Sequence, residues 1–113
     1  GLLAGLTGLA AEMWEPLGIE RAVALKRLIP LLRATVDAID EKGLPDAMTG
    51  PFVRGDVETV ATHLAATSEK SPETANAYSA LALASLHIAK EQGGMSESEF
   101  ESIKTLLFDG NQN

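Results

Sequence analysis

At 113 residues, with 45% hydrophobic but only 4% aromatic side chains, the chain has room for one domain whose core must be assembled from Ala, Leu, Val and Ile. A formal charge of -7 excludes a nucleic-acid surface, because neutralising phosphates requires clustered Lys and Arg. The absence of cysteine excludes a disulfide framework, a thiol nucleophile and a thiolate metal site; it is compatible with the reducing cytoplasm expected as the location, and two separated histidines, His63 and His87, make no zinc site.

The opening segment, residues 1–11, is apolar but too short to span a bilayer and has no basic leader, so neither a membrane contact nor a signal peptide is expected. It has no initiating methionine, and the chain is expected to begin inside an element with further sequence upstream. Leu2, Leu6, Leu9 and Met13 form one stripe and predict a helix from about Leu2 to Glu15. Gly5 and Gly8 each cost about 1 kcal/mol relative to Ala in a helix interior. Either close approach of another helix or a frayed end accounts for them. Trp14 is expected in packing or an interface rather than beneath a ligand, and Pro16 with Gly18 ends the helix.

A second helix, from about Glu20 to Lys42, carries Leu25, Leu28, Leu32, Val36 and Ile39 as a buried seam, with Pro30 kinking rather than ending it. The acids Asp37, Asp40 and Glu41 lie on its polar face or near its end. Gly43 stops it, and Leu44 to Met48 forms a short helical turn. A third helix, beginning after Asp56 and reaching about Ser68, buries Val57, Val60, Ala61 and Leu64; Asp56 is placed to cap it and Glu58 to complement its dipole. Ser71-Pro72-Glu73 starts the next, which runs to about Gln92, is apolar nearly all round and belongs in the centre of a bundle or between subunits. After Gly93-Gly94, Ser96 and Glu99 form a capping box with Met95 and Phe100 as a hydrophobic staple. The last helix buries Phe100, Ile103, Leu106 and Leu107, and residues 109–113 are expected to fray. With no strand candidate and no repeat, a single all-α domain of five or six helices follows.

One stretch interrupts this helical pattern: Thr49-Gly50-Pro51-Phe52-Val53-Arg54-Gly55-Asp56. Its glycines permit conformations and close approaches that other residues resist, and Pro51 stiffens the chain between them. Arg54 is thereby held beside a helix amino end, where an anion is favoured. A second reading stays open, in which Asp56 caps the helix, Arg54 pairs with a neighbouring acid and the glycines make a turn. An adhesion role for Arg-Gly-Asp lacks any accompanying sign of secretion. His63 lies on the flank of the following helix and suits either proton transfer or a half-exposed surface position; His87 is expected to pack or hydrogen-bond within the core. Tyr78, the single tyrosine, needs a partner for its phenol if buried. No Gly-rich nucleotide loop, nucleophile elbow or metal-binding helix pair is present.

Pro30-Leu31-Leu32-Arg33, Thr49-Gly50-Pro51, Arg54-Gly55-Asp56, His63-Leu64, Pro72-Glu73 and Tyr78, in that order and spacing, resemble the C-terminal helical domain of a family of Rossmann-like oxidoreductases. There it is a domain of unknown function that follows an NAD(P)-binding domain. The likeness covers nearly the whole chain, and the motif is its specific part. The family is similar to 6-phosphogluconate dehydrogenase, ketopantoate reductase, pyrroline-carboxylate reductase and deazaflavin-dependent NADP oxidoreductases. The resemblance implies the 6-phosphogluconate dehydrogenase C-terminal-domain-like fold, an upstream Rossmann domain that binds NAD or NADP, and a helical domain that forms a homodimer and closes over a small, anionic substrate. Thr49, Gly50, Arg54, His63 and Tyr78 are then the substrate- or anion-binding residues. The chain by itself would hold neither cofactor nor metal and would catalyse nothing. The alternative is a freestanding helical module that binds partner helices without chemistry.

Overall fold

The 3.6-residue periodicities are realised as six α-helices in the computed structural model, which describes residues 1–112; among these there is no strand. The helices are α1 (Leu2–Glu12), α2 (Arg21–Lys42), α3 (Pro51–Arg54), α4 (Val57–Lys70), α5 (Pro72–Lys90) and α6 (Glu97–Gln112), with a 3-10 turn at Glu15–Leu17. The chain divides into two compact units, residues 1–42 and residues 43 onward.

In the first unit, α1 stops three residues earlier than its stripe suggests, because Pro16 has no N–H to donate to the Glu12 carbonyl. The chain tightens into the 3-10 turn and leaves it through Gly18, whose φ is 79°. Across that turn Arg21 Nη1 donates to Glu12 Oε2 at 3.1 Å, and the Arg27 guanidinium lies 5.8 Å from the Trp14 ring centroid, which gives Trp14 its expected packing role. Pro30 lies within an unbroken α2. The predicted seam along α2 is only half realised: Leu25, Leu28 and Leu32 are half-buried, but Val36 and Ile39 are 58% and 45% exposed. Helix length explains this, since 11 residues span about 16 Å and 22 residues about 33 Å, so α1 can cover only half of α2. A side chain at Gly5 or Gly8 would meet nothing within 4 Å, so neither glycine serves a close helix contact in this fold.

The second unit has a dry core of Val53, Val60, Leu86, Ala89, Met95, Ile103 and Leu107, contributed by α3, α4, α5, α6 and the α5–α6 turn. Its helices start with local caps. Ser71 Oγ accepts from the Thr74 amide at 3.0 Å, and Ser96 and Glu99 form the reciprocal box, at 3.1 Å and 2.8 Å. Met95 is buried, and Phe100 packs against the same cluster, as the staple requires. Helix α5 differs from expectation: Ala75, Ser79, Leu86 and Ala89 are buried, whereas Ala77, Ala80, Leu81, Ala84 and His87 are exposed. Its residues are apolar all round because alanine suits any helix surface, not because the helix is central. His87 is therefore no core residue. Helix α6 also runs further than expected, to Gln112; of the predicted frayed end, Asn113 lies outside the described residues. Gly110 explains the length, for α6 crosses α4 and α5 there so closely that a Cβ would come within 2.6 Å of Ser79 Oγ and 2.9 Å of Leu64.

Ile103 is fully buried at the centre of this packing. Ile103→Ala should cost about 2–5 kcal/mol, read as a lowered urea midpoint. Leu81→Ala, on the 52% exposed face of α5, should change stability by less than about 0.5 kcal/mol.

Candidate functional site

The motif becomes a single helical turn followed by a sharp reversal. Gly50 precedes α3 with φ 97°, Pro51 occupies its first turn, and Gly55 ends it in the left-handed conformation, φ 69° and ψ 28°. The Asp56 amide then donates to Pro51 O at 2.9 Å, closing the turn directly before α4. The lead-in is tied down from a distance. Gln92 Nε2, just beyond α5, donates to both Pro45 O and Met48 O at 2.9 Å, fixing the short turn at residues 44–47 that ends two residues before the motif.

Gly55 is constrained twice. A Cβ there would face φ strain, and would also fall 2.6 Å from Glu99 Oε1, because the capping-box carboxylate of α6 lies over this glycine. On the same side, a Cβ at Gly94 would meet Val53 O at 2.7 Å. The motif is thus clamped against the start of α6. The capping box is legible in the sequence, but its second use as a lid over Gly55 is not, since no local pattern encodes a contact between distant turns.

Asp56 is the electrostatic centre. Its carboxylate accepts from the Thr59 hydroxyl at 2.7 Å and the Thr59 amide at 3.1 Å. These two bonds, the hydroxyl first, hold its pKa below the ordinary 3.8, and the charges of Arg54 and His63 lower it further against the opposing effect of desolvation. Arg54 Nη2 stands 3.8 Å from Asp56 Oδ2, with 60% of its side chain exposed. That is a loose pair, whose acid is already engaged by Thr59. The local geometry is therefore that of the turn reading, in which Asp56 caps α4 and Arg54 faces Asp56. Because Asp56 and Glu58 occupy the amino end of α4, an anion here would be received by the Arg54 guanidinium, which can offer two parallel N–H donors.

The other candidates divide around this centre. Thr49 is exposed and continuous with the motif. His63, two helical turns beyond Asp56 on the same side of α4, is exposed and acts on the Asp56 charge. Tyr78 instead belongs to the packing behind the motif: its ring lies 6.1 Å from that of Phe52, in a tilted arrangement. Its hydroxyl is buried with no hydrogen-bond partner among the described residues, and burial raises its pKa above 10.0. Phe52, which sequence reasoning left without a role, is the link between the motif and α5. Among the described residues no helix is long and apolar enough to cross a membrane.

Gly55→Ala should lower stability by about 1–3 kcal/mol, and a double-mutant cycle with Glu99→Ala should show coupling, since removing the carboxylate relieves the clash but not the φ strain. Asp56 has a depressed folded-state pKa, so its contribution is present above the unfolded value of 3.8 and is lost as pH falls through the still lower folded value. Asp56→Asn should accordingly lower the thermal midpoint at neutral pH, and its difference from the unsubstituted chain should vanish in strong acid.

No curated protein and no solved structure matches the chain. A match to the family described as domain of unknown function DUF2520 covers residues 2–85, from the start of α1 to beyond the middle of α5, and includes the whole motif. The chain belongs to the DUF2520 family.

Proposed function

We propose that this chain is the C-terminal dimerisation and substrate-closing domain of an NAD(P)-dependent oxidoreductase, built on the 6-phosphogluconate dehydrogenase C-terminal-domain-like fold. An upstream Rossmann domain would bind NAD or NADP, and the motif would present Arg54 to an anionic substrate group or a cofactor phosphate. The observation that carries this reading is the state of Arg54: its side chain is 60% exposed beside a rigid, glycine-locked turn, and its 3.8 Å neighbour Asp56 is held by Thr59. A ligand can therefore recruit Arg54 without unravelling the cap. His63 is exposed nearby, and Thr49 with Gly50 shapes the approach. Tyr78 supports the motif from behind through Phe52.

A second reading, a helical interaction module without chemistry, is favoured by the exposed apolar side chains of the first unit, among them Leu2, Leu3, Leu31 and Val36. The residues encoded directly upstream separate the two. A strand followed by a GxGxxG turn supports the oxidoreductase domain; an initiating methionine immediately before Gly1 overturns it.

In the polypeptide that includes those upstream residues, Arg54→Ala should weaken binding of NADPH, or of inorganic phosphate as an anionic probe, by roughly tenfold to a hundredfold. The thermal midpoint should stay unchanged. Unaltered binding of both probes with a lowered midpoint would assign Arg54 to the turn alone.

A further inference from the structure

The turn between α5 and α6, residues 91–96, lies outside the motif and grips the chain on both sides of its start. Gln92 Nε2 donates to Pro45 O and to Met48 O, each at 2.9 Å, so the two hydrogens of one amide bridge the ends of a single turn. The Met48 amide closes that turn with its own bond to Pro45 O, also at 2.9 Å. Two residues on, Gly94 stands so close to Val53 O that a Cβ would come within 2.7 Å of it. Met95 then enters the core on which Met48 and Phe52 also pack.

Burial holds α3, since Val53 lies in the core and Phe52 packs against it. Thr49, between that helix and the Pro45–Met48 turn, has no such anchor. It is exposed, makes no hydrogen bond among the described residues, and is followed by Gly50 at φ 97°. What orients its peptide is the bond from Gln92. Met48 O and the Thr49 N–H belong to one planar, trans peptide unit, in which carbonyl and amide point in opposite directions. Holding Met48 O towards Gln92 therefore directs the Thr49 N–H away from it, as a donor beside the Thr49 hydroxyl.

We propose that Gln92 is a positioning residue of the anion site, fixing the Met48–Thr49 peptide so that the Thr49 amide and hydroxyl donate to the same oxyanion that Arg54 receives. This role rests on the assignment of Arg54 above and adds neutral, directed donors to its charge. Donors already in place cost no ordering when the ligand arrives. Gln92 is itself exposed, and bonds between exposed groups add little to stability because water replaces them. The side chain is therefore placed to order the site rather than to hold the fold.

Binding of inorganic phosphate to the polypeptide that includes the upstream residues tests it with two variants. Gln92→Met keeps the side-chain length without donors, and Gln92→Glu keeps the shape with acceptors only. At neutral pH both should bind phosphate about three- to tenfold more weakly than the unsubstituted polypeptide, with unchanged thermal midpoints and faster exchange of the Ala47 and Met48 amides. As pH falls through the carboxylate range, about 4 to 5, Gln92→Glu should recover towards the unsubstituted affinity at the same pH, because its protonated carboxyl donates again. Gln92→Met should not recover. An Arg54→Ala variant that binds both NADPH and phosphate as the unsubstituted polypeptide does overturns the assignment of Arg54 and this role together. Where Arg54→Ala weakens either, four results overturn the role of Gln92 alone: no phosphate binding by the unsubstituted polypeptide, unaltered affinity in both Gln92 variants, a loss that follows a lowered thermal midpoint, or no recovery of Gln92→Glu in acid.

Discussion

The second unit depends on one crowded point, where the left-handed Gly55 lies beneath the Glu99 carboxylate. That carboxylate has two neighbours at once. It accepts from the Ser96 amide to cap α6, and it occupies the space above the turn between α3 and α4. Since α3, α4 and α6 also share the core of Val53, Val60, Ile103 and Leu107, any displacement of the turn is felt in the packing of buried side chains. Interiors packed at crystal-like density transmit such displacements rather than absorb them. The backbone of the polar motif is consequently fixed by the fold.

Rigidity and charge combine at the Asp56 cap. A carboxylate committed to two bonds from Thr59 cannot follow Arg54 if the guanidinium turns towards a ligand, so capping and anion recognition need not compete. The amino end of α4 carries its own acids, so its helix amides are no independent anion site, and an anion arriving here would meet the Arg54 guanidinium. Behind this surface, Phe52 and Tyr78 connect the turn to α5 through a ring contact. The same residues thus serve packing on one side and present polar groups on the other.

The first unit poses a different physical problem. Two helices of unequal length bury only Ala11 and Ala24 fully, too little core for a stable pair in water. The exposed Val36 and Ile39 of α2 follow from that mismatch, and Leu2, Leu3 and Leu6 of α1 are exposed as well. Burial by a further surface is the ordinary resolution of such an excess.

The sequence by itself determined the helices, their caps and the location of the irregular motif, because caps, prolines and glycine stops act within a few residues of where they stand. Ser71, Asp56 and the Ser96–Glu99 box are read locally and found in place. What only the tertiary structure decided depends on residues far apart in the chain: Glu99 over Gly55, Gln92 bound to the 44–47 turn, Gly110 against Ser79 and Leu64, and Tyr78 behind Phe52. It also decided which of two apolar faces is covered, leaving Val36, Ile39 and half of α5 open where periodicity implied burial. Periodicity states that a side chain prefers to leave water; whether another surface reaches it is settled by helix length and packing.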